Sequence, residues 1–193
     1  MKKFSIILGA IILMLFVTLV IWGVYCDNTI AITNYCVNNT KNDAKLKFVV
    51  ITDLHNKEYG EKNADLAELV KEQNPDFIAV CGDMVNRGDP DTTKMKDVLE
   101  KLSKIAPTYC CLGNHERDNA AKFGTDFKSE TNSTGAVLLD NEYIKFTKNG
   151  KSVLIGGMSD YPYYEFYTPD DDVPSRTLWE EFAEKAKNNF TIL

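Results

Sequence analysis

The chain has only two histidines, His55 and His115, and each stands in a short polar stretch with other potential ligands. The three stretches that could do chemistry are Asp53-Leu54-His55, Gly82-Asp83-Met84-Val85-Asn86-Arg87 and Gly113-Asn114-His115-Glu116. Together they offer the carboxylates of Asp53 and Asp83, the amide oxygen of Asn114 and two imidazoles. That mixture suits divalent ions of borderline hardness (manganese, iron, zinc or nickel) better than calcium. The two oxygens of a carboxylate such as Asp83 can bridge two ions, the arrangement that activates a water and holds a phosphate between metals about 3.5–4 Å apart. Gly82 and Gly113 precede Asp83 and Asn114, where a chain leaving a strand must turn sharply and come close to an ion.

Such residues act together only if the fold brings them to one place, and the surrounding sequence supplies the elements to do so. Lys47–Thr52 and Asp76–Cys81 are short apolar runs of the kind buried on both faces of a parallel sheet, and Thr108–Leu112 is a third strand. Between the first two lies a helix with Asn63 as its cap and Leu66, Leu69 and Val70 on one face, stopped at Asn74-Pro75. Between the second and third, Met95, Val98, Leu99, Leu102 and Ile105 recur at helical spacing up to Pro107. Strand-helix-strand units of this length imply a mostly parallel sheet with right-handed crossovers, so the three polar stretches fall on one rim, where α/β proteins bind ligands. Thr29–Val37 reads as a short strand before a polar link, Asn38–Ala44. Tyr143–Phe146 and Ser152–Ile155 flank an Asn149-Gly150 hairpin turn. Ser175 caps a last helix with Leu178, Trp179 and Phe182 inward, and Phe190–Leu193 begins another strand.

In this order, each after a buried strand, the three stretches resemble the calcineurin-like metallophosphoesterase family, whose pattern runs D-x-H, G-D-x-x-N/D, G-N-H-E/D, a lone His and then G-H-x-H. The N-terminal apolar run and Gly156-Gly157-Met158-Ser159-Asp160 look most like its membrane-anchored bacterial branch. The resemblance implies an α/β fold, a sandwich of mixed β-sheets flanked by helices. It implies two divalent metal ions, with Asp53 and His55 on the first, Asp83 bridging and Asn114 on the second. His115 would stabilise the transition state or protonate the leaving group. Asn86 and Arg87 would contact substrate. Arg87 stands where the phosphoprotein phosphatase branch has a phosphate-clamping Arg, and a solvated loop Arg is the competing reading. Asn86 stands where that branch has an Asp that orients the histidine, which favours phosphodiester or small phosphomonoester hydrolysis over phosphoprotein phosphatase activity.

The lone His and G-H-x-H of the pattern are not found in the chain, and Phe190–Leu193 resembles the family strand that leads into them. The expectation is therefore an N-terminal piece of a longer hydrolase. The alternative is a complete but catalytically inactive, membrane-tethered binding module.

The remaining composition bounds the setting. With 193 residues, 22 basic against 28 acidic side chains and 44% hydrophobic residues, the chain is neither disordered nor built to bind nucleic acid. Lys2 and Lys3 precede the uncharged run Phe4–Tyr25, which would span about 33 Å as a helix, the thickness of a bilayer core. It is too long, and lacks the small-residue exit, for a typical cleaved signal. The expected organisation is an anchor at 1–26 and an incomplete metallophosphoesterase domain at 27–193. The flanking lysines place the N-terminus inside, so the domain lies outside the cytoplasm on a single-pass membrane protein. Closeness to lipid makes a phosphorylated small molecule or a lipid-linked phosphate or pyrophosphate the expected partner. The five cysteines are too irregular for a disulfide scaffold, and Cys81, Cys110 and Cys111 are expected in core strands, the last two facing opposite ways. The aromatic and acidic stretch Asp160–Asp172 is read as a solvated loop, with a substrate rim or lipid-facing surface as the alternative.

Overall fold

In the described parts of the chain, residues 2–37, 45–158, 174–188 and 191–192 of a computed structural model, β-branched runs become strands and 3.6-periodic runs become helices. Two units are distinguished, residues 1–35 and 36–193. The first is dominated by α1 (Lys2–Asp27), a helix whose side chains are exposed along its length and whose segment Lys3–Asp27 is long and apolar enough to cross a membrane. Thr29–Val37, expected as a strand, forms none. It has the β-branched composition, but among the described residues no strand pairs with it, and an unpaired segment has no ladder to hold it extended.

In the second unit β1 (Phe48–Ile51), β2 (Phe77–Cys81), β3 (Thr108–Cys111) and β4 (Val137–Leu138) form a parallel sheet in that order. Phe48 pairs with Phe77, Ile51 with Val80, Ile78 with Thr108 and Cys81 with Cys111, so the strands end almost level. The crossovers carry α2 (Ala64–Glu72) and α3 (Thr93–Ser103), whose apolar stripes are buried at Leu66, Val70, Met95, Val98, Leu99 and Leu102. Fully burying side chains of this size stabilises by about 1.5–3 kcal/mol each, which fixes the two helices on one face of the sheet. Asn63 does not cap α2 through its side chain, as its sequence position predicts. It lies at φ 60°, buried, and its Oδ1 accepts from the Tyr59 amide, closing the preceding loop instead.

Past β3 come α4 (Asn114–Phe123) and α5 (Phe127–Asn132). A second sheet contains the antiparallel hairpin of β5 (Glu142–Lys148) and β6 (Lys151–Gly157), with β7 (Thr191–Ile192) parallel to β6. Asn149 and Gly150 turn it at φ 52° and 75°, the left-handed pair that a two-residue hairpin requires. α6 (Pro174–Asn188) starts at Pro174, so Ser175 falls inside its first turn and is not its cap. Phe182 is buried against Tyr143, ring centroids 5.6 Å apart. The side chains of Leu178 and Trp179, the polar link Asn38–Ala44 and the loop Asp160–Asp172 lie outside the described residues.

The two sheets meet face to face. Phe77 and Ala79 of the first pack on Leu139, Val153 and Ile155, with Phe48, Tyr109, Ile144 and Phe146 around them. Phe48 stacks on Phe77 at 4.8 Å and Phe146 tilts against it at 5.1 Å, a core built of aromatic contacts. The result is a mixed-sheet α/β fold with helices on the outer face of the parallel sheet.

Candidate metal centre at the strand tips

The carboxyl ends of β1, β2 and β3 deliver the three polar stretches to one rim. The loops stay bonded beyond the strands: the Asp53 amide donates to the Gly82 carbonyl at 3.2 Å, His55 to Asp83 at 3.0 Å and Asn56 to Met84 at 2.9 Å. Asp53, His55 and Asp83 adopt left-handed backbone at φ 57°, 47° and 51°. For non-glycine residues this is a strained region, and such strain clusters where side chains must be aimed at a ligand. The consequence is convergence: one ligand atom from each of Asp53, His55 and Asp83 lies within 4.8 Å of the others. Asp53 and His55 can serve together, though separated by one residue, because the strand has stopped alternating at its tip.

Asn114 opens α4 beside Asp83. Its side-chain amide lies against both Asp83 carboxylate oxygens, at 3.1 and 2.9 Å, and beside the Arg87 guanidinium; with its NH2 toward Asp83 and its oxygen toward Arg87 every one of these groups is paired. With the amide turned, its oxygen would be available to a cation at Asp83. The donor set of Asp53, His55 and Asp83 fits a divalent ion, with Asn114 beside Asp83. Glycine permits this closeness: a Cβ on Gly113 would lie 2.2 Å from Asp83 Oδ1, and one on Gly82 would lie 2.3 Å from the Gly113 nitrogen.

His115 completes the cluster. Its ring lies 4.5 Å from that of His55, and its backbone N–H donates to Asp83 Oδ1 at 3.0 Å. Its Nδ1 is 3.1 Å from the Val85 carbonyl, which can only accept, so Nδ1 carries the proton and Nε2 is the free ring nitrogen. Asn86 is exposed, and its carbonyl accepts from the buried Asn119 amide at 2.9 Å. Arg87 is tied to Asp118 at 2.9 Å and reaches Asn114.

Two residues that hold the site were not singled out by sequence. Glu116 is 2% exposed, and four backbone N–H groups donate to its carboxylate: Gly113, Asp83 and Met84 at 2.8 Å each, and Val85 at 3.2 Å. It binds the β2 tip to the β3 tip. Asn119 is fully buried, accepts from Gly88 N–H at 2.7 Å and donates to the carbonyls of Asn86 and Asp89 at 2.9 and 2.8 Å, fixing the loop that carries Arg87. Cys81, expected in the core, is exposed at the end of β2 because the strand runs past its cover. The neighbouring Cys111 thiol holds Cys81 below the usual thiol range, at about 7. The same contact, with burial, pushes Cys111 up, and burial pushes up Cys110 on the opposite face.

This geometry agrees with what the chain resembles. The profile of the calcineurin-like phosphoesterases matches residues 46–193, the whole of the sheet and its rim. The chain belongs to that family. It is 28% identical over 120 residues to the uncharacterized metallophosphoesterase YkoQ of Bacillus subtilis, covering 61% of this chain and 44% of that protein. It is 30% identical over 119 residues to the phosphodiesterase YaeI of Escherichia coli, covering 60% and 44%. It is 35% identical over 85 residues to the uncharacterized metallophosphoesterase Cj0846 of Campylobacter jejuni, covering 42% and 21%. The chain spans less than half the length of these relatives.

Proposed function

We propose that this calcineurin-like phosphoesterase hydrolyses a phosphodiester, or a lipid- or nucleotide-linked pyrophosphate, at a dinuclear metal site on the rim of its parallel sheet. The observation that carries this reading is the convergence of Asp53, His55 and Asp83, with Asn114 beside Asp83. Asp53 and His55 would hold one ion, Asn114 the other, and Asp83 would serve both. Bound there, the ions supply Lewis acidity toward the phosphate oxygens and lower the pKa of water.

The chain's own side chains do the rest. Because the Val85 carbonyl accepts from His115 Nδ1 in either charge state, Nε2 can take up and deliver a proton without the ring turning. That makes His115 the general acid toward the leaving alkoxide, a role suited to an imidazole near neutral pH. Arg87 offers its guanidinium to a phosphate oxygen, at the cost of its contact with Asp118. Asp118 in turn holds Arg87 at the rim when substrate is absent. Asn86 presents an exposed amide on the same loop. The relative named a phosphodiesterase supports a diester over a protein substrate.

We place the domain on the outer side of a membrane, tethered by α1, with Lys2 and Lys3 inside. The domain boundary is set near residue 27, and a lipid-linked phosphate is the substrate class that such an anchor favours. Turnover of bis(p-nitrophenyl) phosphate by the full chain with manganese tests the reading, with protease protection of sealed vesicles for the orientation. Hydrolysis abolished by Asp83→Ala supports it. A metal-loaded, folded protein with no turnover would favour the inactive tethered module instead.

A further inference from the structure

Cys81 and Cys111 are direct partners in the register of β2 and β3, so their side chains leave the same face of the sheet at neighbouring strand ends. Cys110, one residue away, points to the other face and is buried. Neither Cys81 nor Cys111 belongs to the metal-ligand set. Cys81 is exposed and Cys111 is half-buried beside it on the neighbouring strand. From this geometry we infer that Cys81 and Cys111 form a vicinal dithiol that closes to a disulfide by exchange with a small-molecule disulfide.

Adjacent strands run about 4.7–4.9 Å apart, inside the Cα window of about 4.4–6.8 Å in which a disulfide can form. The bond asks for Cβ atoms about 3.8 Å apart, so closure draws the two strand tips together. A bond made under that pull is reducible, the property of switchable rather than permanent disulfides. The exchange balances in two steps. The exposed Cys81 sulfur attacks one sulfur of the reagent, leaving a mixed disulfide and releasing one thiol. The Cys111 sulfur then attacks the Cys81 sulfur and releases the second. Two protein S–H bonds are lost, one S–S bond is formed, and the reagent disulfide is reduced to two thiols that carry the protons.

Closure acts directly on the site's backbone. Gly82 and Gly113 follow the pair closely and already touch, with no room for even a Cβ between them. Tightening at Cys81 and Cys111 must therefore shift the loops that begin at Asp83 and Asn114.

The test uses the full chain with Cys26→Ser and Cys36→Ser, which removes the exposed thiols outside the sheet. It is incubated with glutathione disulfide, blocked with N-ethylmaleimide and mapped by peptide mass spectrometry. The expected product is a Cys81–Cys111 link with the loss of two hydrogens, reversed by dithiothreitol and unchanged by Cys110→Ser. Cys111→Ser should stop the reaction at a mixed disulfide on Cys81. Amide exchange at Gly82, Asp83 and Gly113 should change on oxidation in the linked protein alone. Full alkylation of both thiols after the oxidant, or a link through Cys110, would overturn the inference.

Discussion

Replacing Glu116 by Gln changes one atom's chemistry in the bracket that joins the two strand tips. Oε2 accepts from the Asp83 and Gly113 amides, and Oε1 from Met84 and Val85. A Gln side chain keeps one accepting oxygen and turns an NH2 toward the other two N–H groups. Two buried donors then lose their acceptor, and each unmet buried group costs about 1–3 kcal/mol. The expected destabilisation is about 2–6 kcal/mol, a large part of the roughly 5–15 kcal/mol that holds a domain folded. The loss should be local first, because the affected amides belong to the loops carrying Asp83 and Asn114. Amide hydrogen exchange of the full chain in detergent, read at Asp83, Met84, Val85 and Gly113, reports it directly. Protection at two of these amides should fall by at least tenfold, with the β5–β6 hairpin amides unchanged. Equal protection in wild type and variant, or a uniform loss across the domain, would refute the bracket.

Four further outcomes follow from the same geometry. Gly113→Ala puts a methyl 2.2 Å from Asp83 Oδ1, so it should displace that carboxylate and lower bound metal at least tenfold by isothermal titration. Gly124→Ala, with open space around its Cβ position, should cost only about 1 kcal/mol of left-handed strain. Asn119→Ala removes three hydrogen bonds to the 86–89 loop, so limited proteolysis should cut there, with stability lower by roughly 2–5 kcal/mol in denaturant titration. His115→Ala should slow diester turnover about 10²–10⁴-fold with metal content unchanged, as measured by single-turnover kinetics beside metal analysis.

The sheet was legible because its strands are short apolar runs closed by polar or turn residues, and its crossover helices carry regular apolar stripes. The gathering of the three polar stretches on one rim was legible for the same reason, since each interrupts such a run. α4 was not, because its buried residues are Glu116 and Asn119 and periodicity of apolar residues is blind to a helix that buries polar groups. Its ends were marked by Gly113 and by Gly124 in the left-handed conformation at the C-cap, the signal that could have found it. α5 and β4 are too short to show a period. Thr29–Val37 had strand composition without a partner, which no local pattern reveals. Cys81 read as core because its neighbours are core, and only the level strand ends show that it stands beyond them.

We propose that the rim at Asp53, His55, Asp83 and Asn114 holds two divalent cations. Anomalous diffraction from crystals of the protein soaked in manganese tests it most directly. One peak is expected among Asp53, His55 and Asp83 and a second between Asp83 and Asn114, both lost in Asp83→Ala. Peaks elsewhere, or none at these four side chains at saturating manganese, would contradict it.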